Sequence, residues 1–129
     1  MIVDGAWWDY VDELAAHRIG TLLRRYPARV GRLMLQWSRS KDLWKRRTAI
    51  LCQLKFKSET DLPLLYRCIE PALTSEEFFL RKGIGWALRQ YAWINPAEVR
   101  RYVEKHRSSL SPLSRREAMK NIIKTRKTG

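Results

Sequence analysis

Residues 40–56 read SKDLWKRRTAILCQLKF, and residues 75–91 read SEEFFLRKGIGWALRQY. Laid over one another at an offset of 35, they pair Ser40 with Ser75, Leu43 with Phe78 and Trp44 with Phe79. The same register pairs Arg46 with Arg81, Arg47 with Lys82 and Phe56 with Tyr91. A further step of 34 carries Arg81–Lys82 onto Arg115–Arg116 in SPLSRREAMKNI. A period in this range, with two helices per unit, is the mark of an α-solenoid. One helix pair cannot bury its own apolar face, and stacked pairs share a continuous core. The stretch therefore predicts an all-α fold, a HEAT-like solenoid of stacked helix pairs.

Helix signals extend that reading along the chain. Asn95 stands as an N-cap before Pro96, with Glu98 three residues on to complete a box. Thr74 with Glu77, and Ser114 with Glu117, have capping-box spacing. DLPLLYRCIEPAL and LMLQW read as buried stripes, and strand-like alternation is absent. About seven helices are predicted, near 6–25, 28–37, 41–57, 61–73, 75–93, 96–107 and 112–126. No linker divides them, so residues 1–129 read as a single domain, long enough for a real core.

Composition narrows the function classes. Hydrophobic residues make up 45% and aromatics 11%, which excludes a disordered chain. Lys and Arg total 26 against 13 Asp and Glu, a formal net charge of +13 that attracts polyanions, nucleic acid first among them. An acidic protein partner, or no such role, is the plainer alternative. No apolar run is long enough to span a membrane and no signal peptide is visible, so a cytoplasmic protein is expected. Cys52 and Cys68 lack metal-ligand spacing and read as buried free thiols. His17 and His106 are far apart and join no metal motif, and no phosphate loop or dinucleotide fingerprint occurs. No cofactor and no metal are expected. The GIG at 83–85 falls inside a helical run, where a close helix–helix approach explains it better than a phosphate loop.

The repeat also gives the charge a geometry. A basic doublet recurring at equivalent places would form a stripe along one surface, able to follow a phosphate backbone. Solvated helix faces are the plainer explanation of the same doublets.

Near the start, residues 6–12 read AWWDYVD. Helical spacing puts Trp7 with Val11 on a core-like stripe and Asp9 with Glu13 on an outward face. Trp8 and Asp12, at i and i+4, set a large π surface beside a carboxylate. Trp86 and Arg89, at i and i+3, again place a tryptophan and a polar group on one face.

Together, AWWDYVD, DLWKRRTAILCQLKFK, EEFFLRKGIGWALRQYAWINP and LSPLSRREAMKNI resemble the AlkD family, DNA alkylation-repair glycosylases built from HEAT-like repeats. The resemblance covers nearly the whole chain in order. It implies an N-glycosylase that hydrolyses the bond between deoxyribose and an N7- or N3-alkylated purine in duplex DNA, the lesion lying on a basic concave surface rather than in a deep pocket. On the matching positions it implies Asp12 as the catalytic carboxylate, Trp8 and Trp86 as contacts to the lesion's deoxyribose, Arg47 as a backbone contact and Arg89 as a neighbouring phosphate contact. The chemistry agrees. Alkylation makes the purine cationic, so it leaves as a neutral base, and a fixed carboxylate stabilises the oxocarbenium-like sugar left behind. The alternatives are a non-catalytic HEAT-like module that binds DNA or protein, or an inactive fragment.

Members of that family are close to twice as long, and the resemblance falls on their C-terminal part. Gly83 stands where an alanine is usual and Gln90 where a glutamate is usual. A stack that ends mid-solenoid presents an apolar end, so self-association through that end is expected.

Overall fold

A computed structural model of the chain describes residues 15–128, and the statements below concern those residues. They are all-helical, with no strand among them. A π-helical turn, Ala15–Ile19, leads into α1 (Gly20–Arg25), α2 (Pro27–Ser38) and α3 (Leu43–Leu51). Then come α4 (Leu62–Ile69), α5 (Phe78–Ala92), α6 (Pro96–Lys105) and α7 (Pro112–Thr128). Short 3-10 turns fill Lys57–Glu59 and Glu70–Ala72.

The helices pack as two layers. In one, α3 lies beside α5 and α5 beside α7. In the other, α2 contacts α4, and Tyr66 of α4 stacks on Tyr102 of α6 with ring centroids 4.0 Å apart. The two segments aligned at an offset of 35 are therefore the neighbours α3 and α5, and the further step of 34 reaches α7. The repeat in the sequence is the stacking repeat of the solenoid-like fold.

Local chemistry starts each helix at its place. Asp42 caps α3 by accepting from the amides of Trp44 and Lys45. Asp61 caps α4 through Leu64, and Asn95 caps α6 through Glu98 with Pro96 behind it. The equivalence of Ser40 and Ser75 extends to their bonds, since each accepts from the amide two residues on, Asp42 at 3.0 Å and Glu77 at 3.1 Å. The predicted Thr74–Glu77 box does not form. Glu77 itself occupies the cap position, and the nearer Ser75 hydroxyl satisfies its amide. Ser114 is likewise not a cap: Ser111 accepts from its amide, and its own hydroxyl donates across to the Arg81 carbonyl of α5. Glu98 does not close its box either, because its carboxylate is taken by Tyr66 and Arg101.

Leu80, Ile84 and Leu88, spaced i, i+4 and i+8 along α5, are at most 1% exposed and form the spine of the main core. Ile50 and Leu51 of α3, Ile69 of α4, Val99 of α6 and Ala118 of α7 close around them. Each such large side chain contributes roughly 1.5–3 kcal/mol when fully buried. A second cluster joins α1 to α4 through Leu23, Met34, Phe56, Cys52 and Cys68. Both cysteines are buried free thiols there, as expected. Burial pushes the Cys52 thiol up strongly and raises Cys68 to about 12, so neither is a nucleophile at neutral pH.

Candidate nucleic-acid interface

The surface that gathers the candidate residues is built on α5. Gly83, Trp86 and Arg89 stand at i, i+3 and i+6, so they share one side of the helix. Arg47 reaches this side from α3. Its side chain is 4% exposed, its guanidinium donates to the Phe79 carbonyl, and it lies 5.9 Å from the Phe79 ring centroid. It lies against the bare backbone of Gly83, where a Cβ would stand 3.2 Å from Arg47 Nη1. Trp86 is half-buried, packed against the main core on one side and open on the other.

Arg89 meets a residue of α7. Its Nη1 lies 3.6 Å from Glu117 Oε1, and Lys120 Nζ lies 2.8 Å from Glu117 Oε2. The Lys120 hydrogen bond, with Arg89 and Lys82 nearby, holds the Glu117 carboxyl below the ordinary carboxylate range. Gly85 allows this meeting, because a Cβ there would fall 2.5 Å from Glu117 Cβ and 3.2 Å from the Ser114 carbonyl. The GIG is thus a double close approach, to a guanidinium at Gly83 and to a whole helix at Gly85. Nothing in the local sequence of 114–120 singles Glu117 out as a partner of α5. Only the crossing of the two helices brings it there.

The basic doublets differ from the stripe expected of them. Their first members are committed to backbone: Arg46 donates to Pro71 at 2.9 Å, Arg81 to Ser75 at 2.8 Å and Arg115 to Arg107 at 2.9 Å. These bonds satisfy carbonyls at the ends of neighbouring turns, a structural task shared by all three units. Of the second members Arg47 is buried, while Lys82 and Arg116 are exposed. The outward charge on this part of the layer rests on Lys82, Arg116 and Lys120. Trp8 and Asp12 lie outside the described residues. No group of His, Cys, Asp or Glu able to hold a metal occurs among the described residues, and no described helix is long and apolar enough to cross a membrane.

Over residues 1–122 the sequence matches the family described as DNA alkylation repair enzyme. The chain belongs to that family. A solved structure, the predicted DNA alkylation repair enzyme from Enterococcus faecalis, is similar at 35% identity with a TM-score of 0.79. The likeness covers 88% of this chain and 52% of that one, so this member of the DNA alkylation repair family spans about half the length of that relative. No curated protein matches it. The excess of basic residues is in keeping with that family's description.

Proposed function

We propose that this chain carries the chemistry of an alkylpurine DNA glycosylase, releasing N7- or N3-alkylated purines from duplex DNA through a HEAT-like surface. The observation that supports it best is the open face of Trp86 on the same side of α5 as Arg89 and as Gly83, where Arg47 lies. An aromatic face beside fixed cations suits a deoxyribose that turns cationic while its flanking phosphates stay anionic. In this reading Asp12 is the carboxylate that stabilises the oxocarbenium-like sugar and orients water, and Trp8 is the second aromatic wall. Loss of the base as a neutral leaving group removes the need for a strong general acid. Arg47, largely enclosed by protein, acts as the fixed positive charge that keeps the carboxylate ionised.

The test is release of 7-methylguanine from methylated duplex, read as abasic sites, for this chain and for Asp12→Asn. Base release lost in the variant, with duplex affinity within about twofold, supports the reading. Release at an unchanged rate removes Asp12 from the chemistry. Duplex binding that falls steeply with salt, with no abasic product from either protein, favours a non-catalytic DNA-binding module instead. The same reading includes self-association, with Leu22, Tyr26 and Leu33 of the α1–α2 region, 45%, 49% and 40% exposed, as its apolar contacts. A concentration-dependent sedimentation coefficient, abolished by Leu22→Ser with Leu33→Ser, checks that part.

A further inference from the structure

Among the described residues, three sides of α5 are occupied by the rest of the fold. Leu80, Ile84 and Leu88 enter the main core. Gly83 borders Arg47 of α3, and Gly85 borders Ser114 and Glu117 of α7. Helical phase gathers Phe78, Lys82, Trp86 and Trp93 on the fourth side, at i, i+4, i+8 and i+15, within an arc of about 80°. Trp93 keeps that phase because its own backbone is still helical, with φ −63° and ψ −29°. Lys82 Nζ lies 5.8 Å from the Phe78 ring centroid, so these two share the side in contact as well as in phase.

Phe78 and Trp93, 53% and 62% exposed, are the two most exposed of the large apolar side chains described. Lys82 is exposed too, and Trp86 between them is half-buried. A single exposed ring needs no explanation, but three along one side of one helix make a row. The steps between them are eight and seven residues, or about 12 and 10 Å of rise. Positive charge accompanies the row. Lys82 stands between the first two rings, and the nearby Glu117 carboxylate is held by Arg89 and Lys120 of the same surface.

We propose that this side of α5 binds single-stranded nucleic acid, its bases stacking on Phe78, Trp86 and Trp93 while Lys82 neutralises its backbone. In a duplex both faces of each base are covered by neighbours, so a projecting ring meets only groove edges or backbone. In a single strand those faces are open, and an aromatic row offers one platform after another to any base. The row is about 22 Å long, which is six or seven nucleotide steps at roughly 3.4 Å each. The inference goes beyond the glycosylase reading, which concerns duplex DNA and shares only Trp86 with it. Asp12→Asn is expected to leave single-strand binding intact.

The test is fluorescence anisotropy of labelled oligothymidylates and oligouridylates, about three to twelve nucleotides long, titrated with the full chain. Affinity is expected to rise with length to about seven nucleotides and then level off, and the tighter series names the strand as DNA or RNA. Phe78→Ala and Trp93→Ala are each expected to weaken binding about tenfold. Phe78→Tyr and Trp93→Phe are expected to restore most of it, because the ring face does the stacking. Affinity for an undamaged duplex of about twelve base pairs is expected to stay within about twofold in all four variants. The proposal is overturned if neither single strand binds saturably, if either Phe78→Ala or Trp93→Ala binds as tightly as the unmutated chain, or if both weaken duplex binding equally. Base release from methylated duplex is scored in parallel, and its absence with single-strand binding intact removes the glycosylase reading alone.

Discussion

Arg47 of α3 lies against the bare backbone of Gly83 on α5, its Nη1 only 3.2 Å from where a Cβ would project. The glycine leaves room for a nearly buried guanidinium beside Trp86's side of the helix. Two residues on, Gly85 meets backbone and the root of a side chain instead of a flexible end.

That contrast sets opposite outcomes for the same substitution. Gly83→Ala asks the end of a long side chain to give by a few tenths of an ångström, and in return gains helix propensity of about 0.5–1 kcal/mol. It is expected to raise the melting temperature by a few degrees. Gly85→Ala puts a Cβ 2.5 Å from Glu117 Cβ and forces α5 and α7 apart. It is expected to cost about 1–3 kcal/mol, in the range of overpacked cores. Thermal melts of the two variants side by side check both signs.

Glu117 holds Arg89 and Lys120 at 3.6 and 2.8 Å and so opposes an approaching phosphate while fixing both cations. Glu117→Gln removes the negative charge and keeps the shape. Non-specific duplex affinity at low salt is expected to rise about two- to fivefold, and the salt slope to steepen by nearly one counterion. An unchanged salt slope would show that this trio lies away from the bound DNA.

The Tyr66 hydroxyl donates to Glu98 Oε2 at 2.7 Å, joining α4 to α6, and Arg101 holds the same carboxylate from both oxygens. Arg101 first and Tyr66 second lower the Glu98 carboxyl from its ordinary value of 4.5 to about 2. A carboxylate with a depressed folded-state pKa contributes stability that is full above the unfolded value and is lost as pH falls toward the folded one. The melting-temperature gap between the protein and Glu98→Gln is therefore expected to be constant above about pH 5 and to close between about pH 4.5 and pH 2.

Cys52 and Cys68 are each 1% exposed, with thiols held protonated by burial. Neither is expected to react with a thiol reagent at pH 8 in the folded protein, and both are expected to react in denaturant at the rate of an ordinary cysteine. The native reaction rate then reports local opening of the α1–α4 cluster.

What the sequence determined is whatever repeats or acts over a few residues. The offsets of 35 and 34 between 40–56, 75–91 and the Arg115–Arg116 segment are the spacing of α3, α5 and α7, because a stack of like units must return to the same place in the same number of residues. Asn95 before Pro96 starts α6 in the structure as in the sequence, since a cap bond spans only three residues. Buried thiols and the close approach at GIG followed from composition and helical phase. The uses of the arginines did not. Arg46, Arg47, Arg81 and Arg115 look alike along the chain, and only the crossings of the helices decide which of them find a carbonyl. The meeting of Arg89 with Glu117, 28 residues later in the chain, is of the same kind. So is the cleft that Trp93 lines, whose walls come from Ile50 of α3, Leu65 of α4, Ala87 and Tyr91 of α5 and the loop between α3 and α4. Charge and aromaticity can be read from a chain, but which groups share one low-dielectric surface is set by packing between elements far apart in sequence.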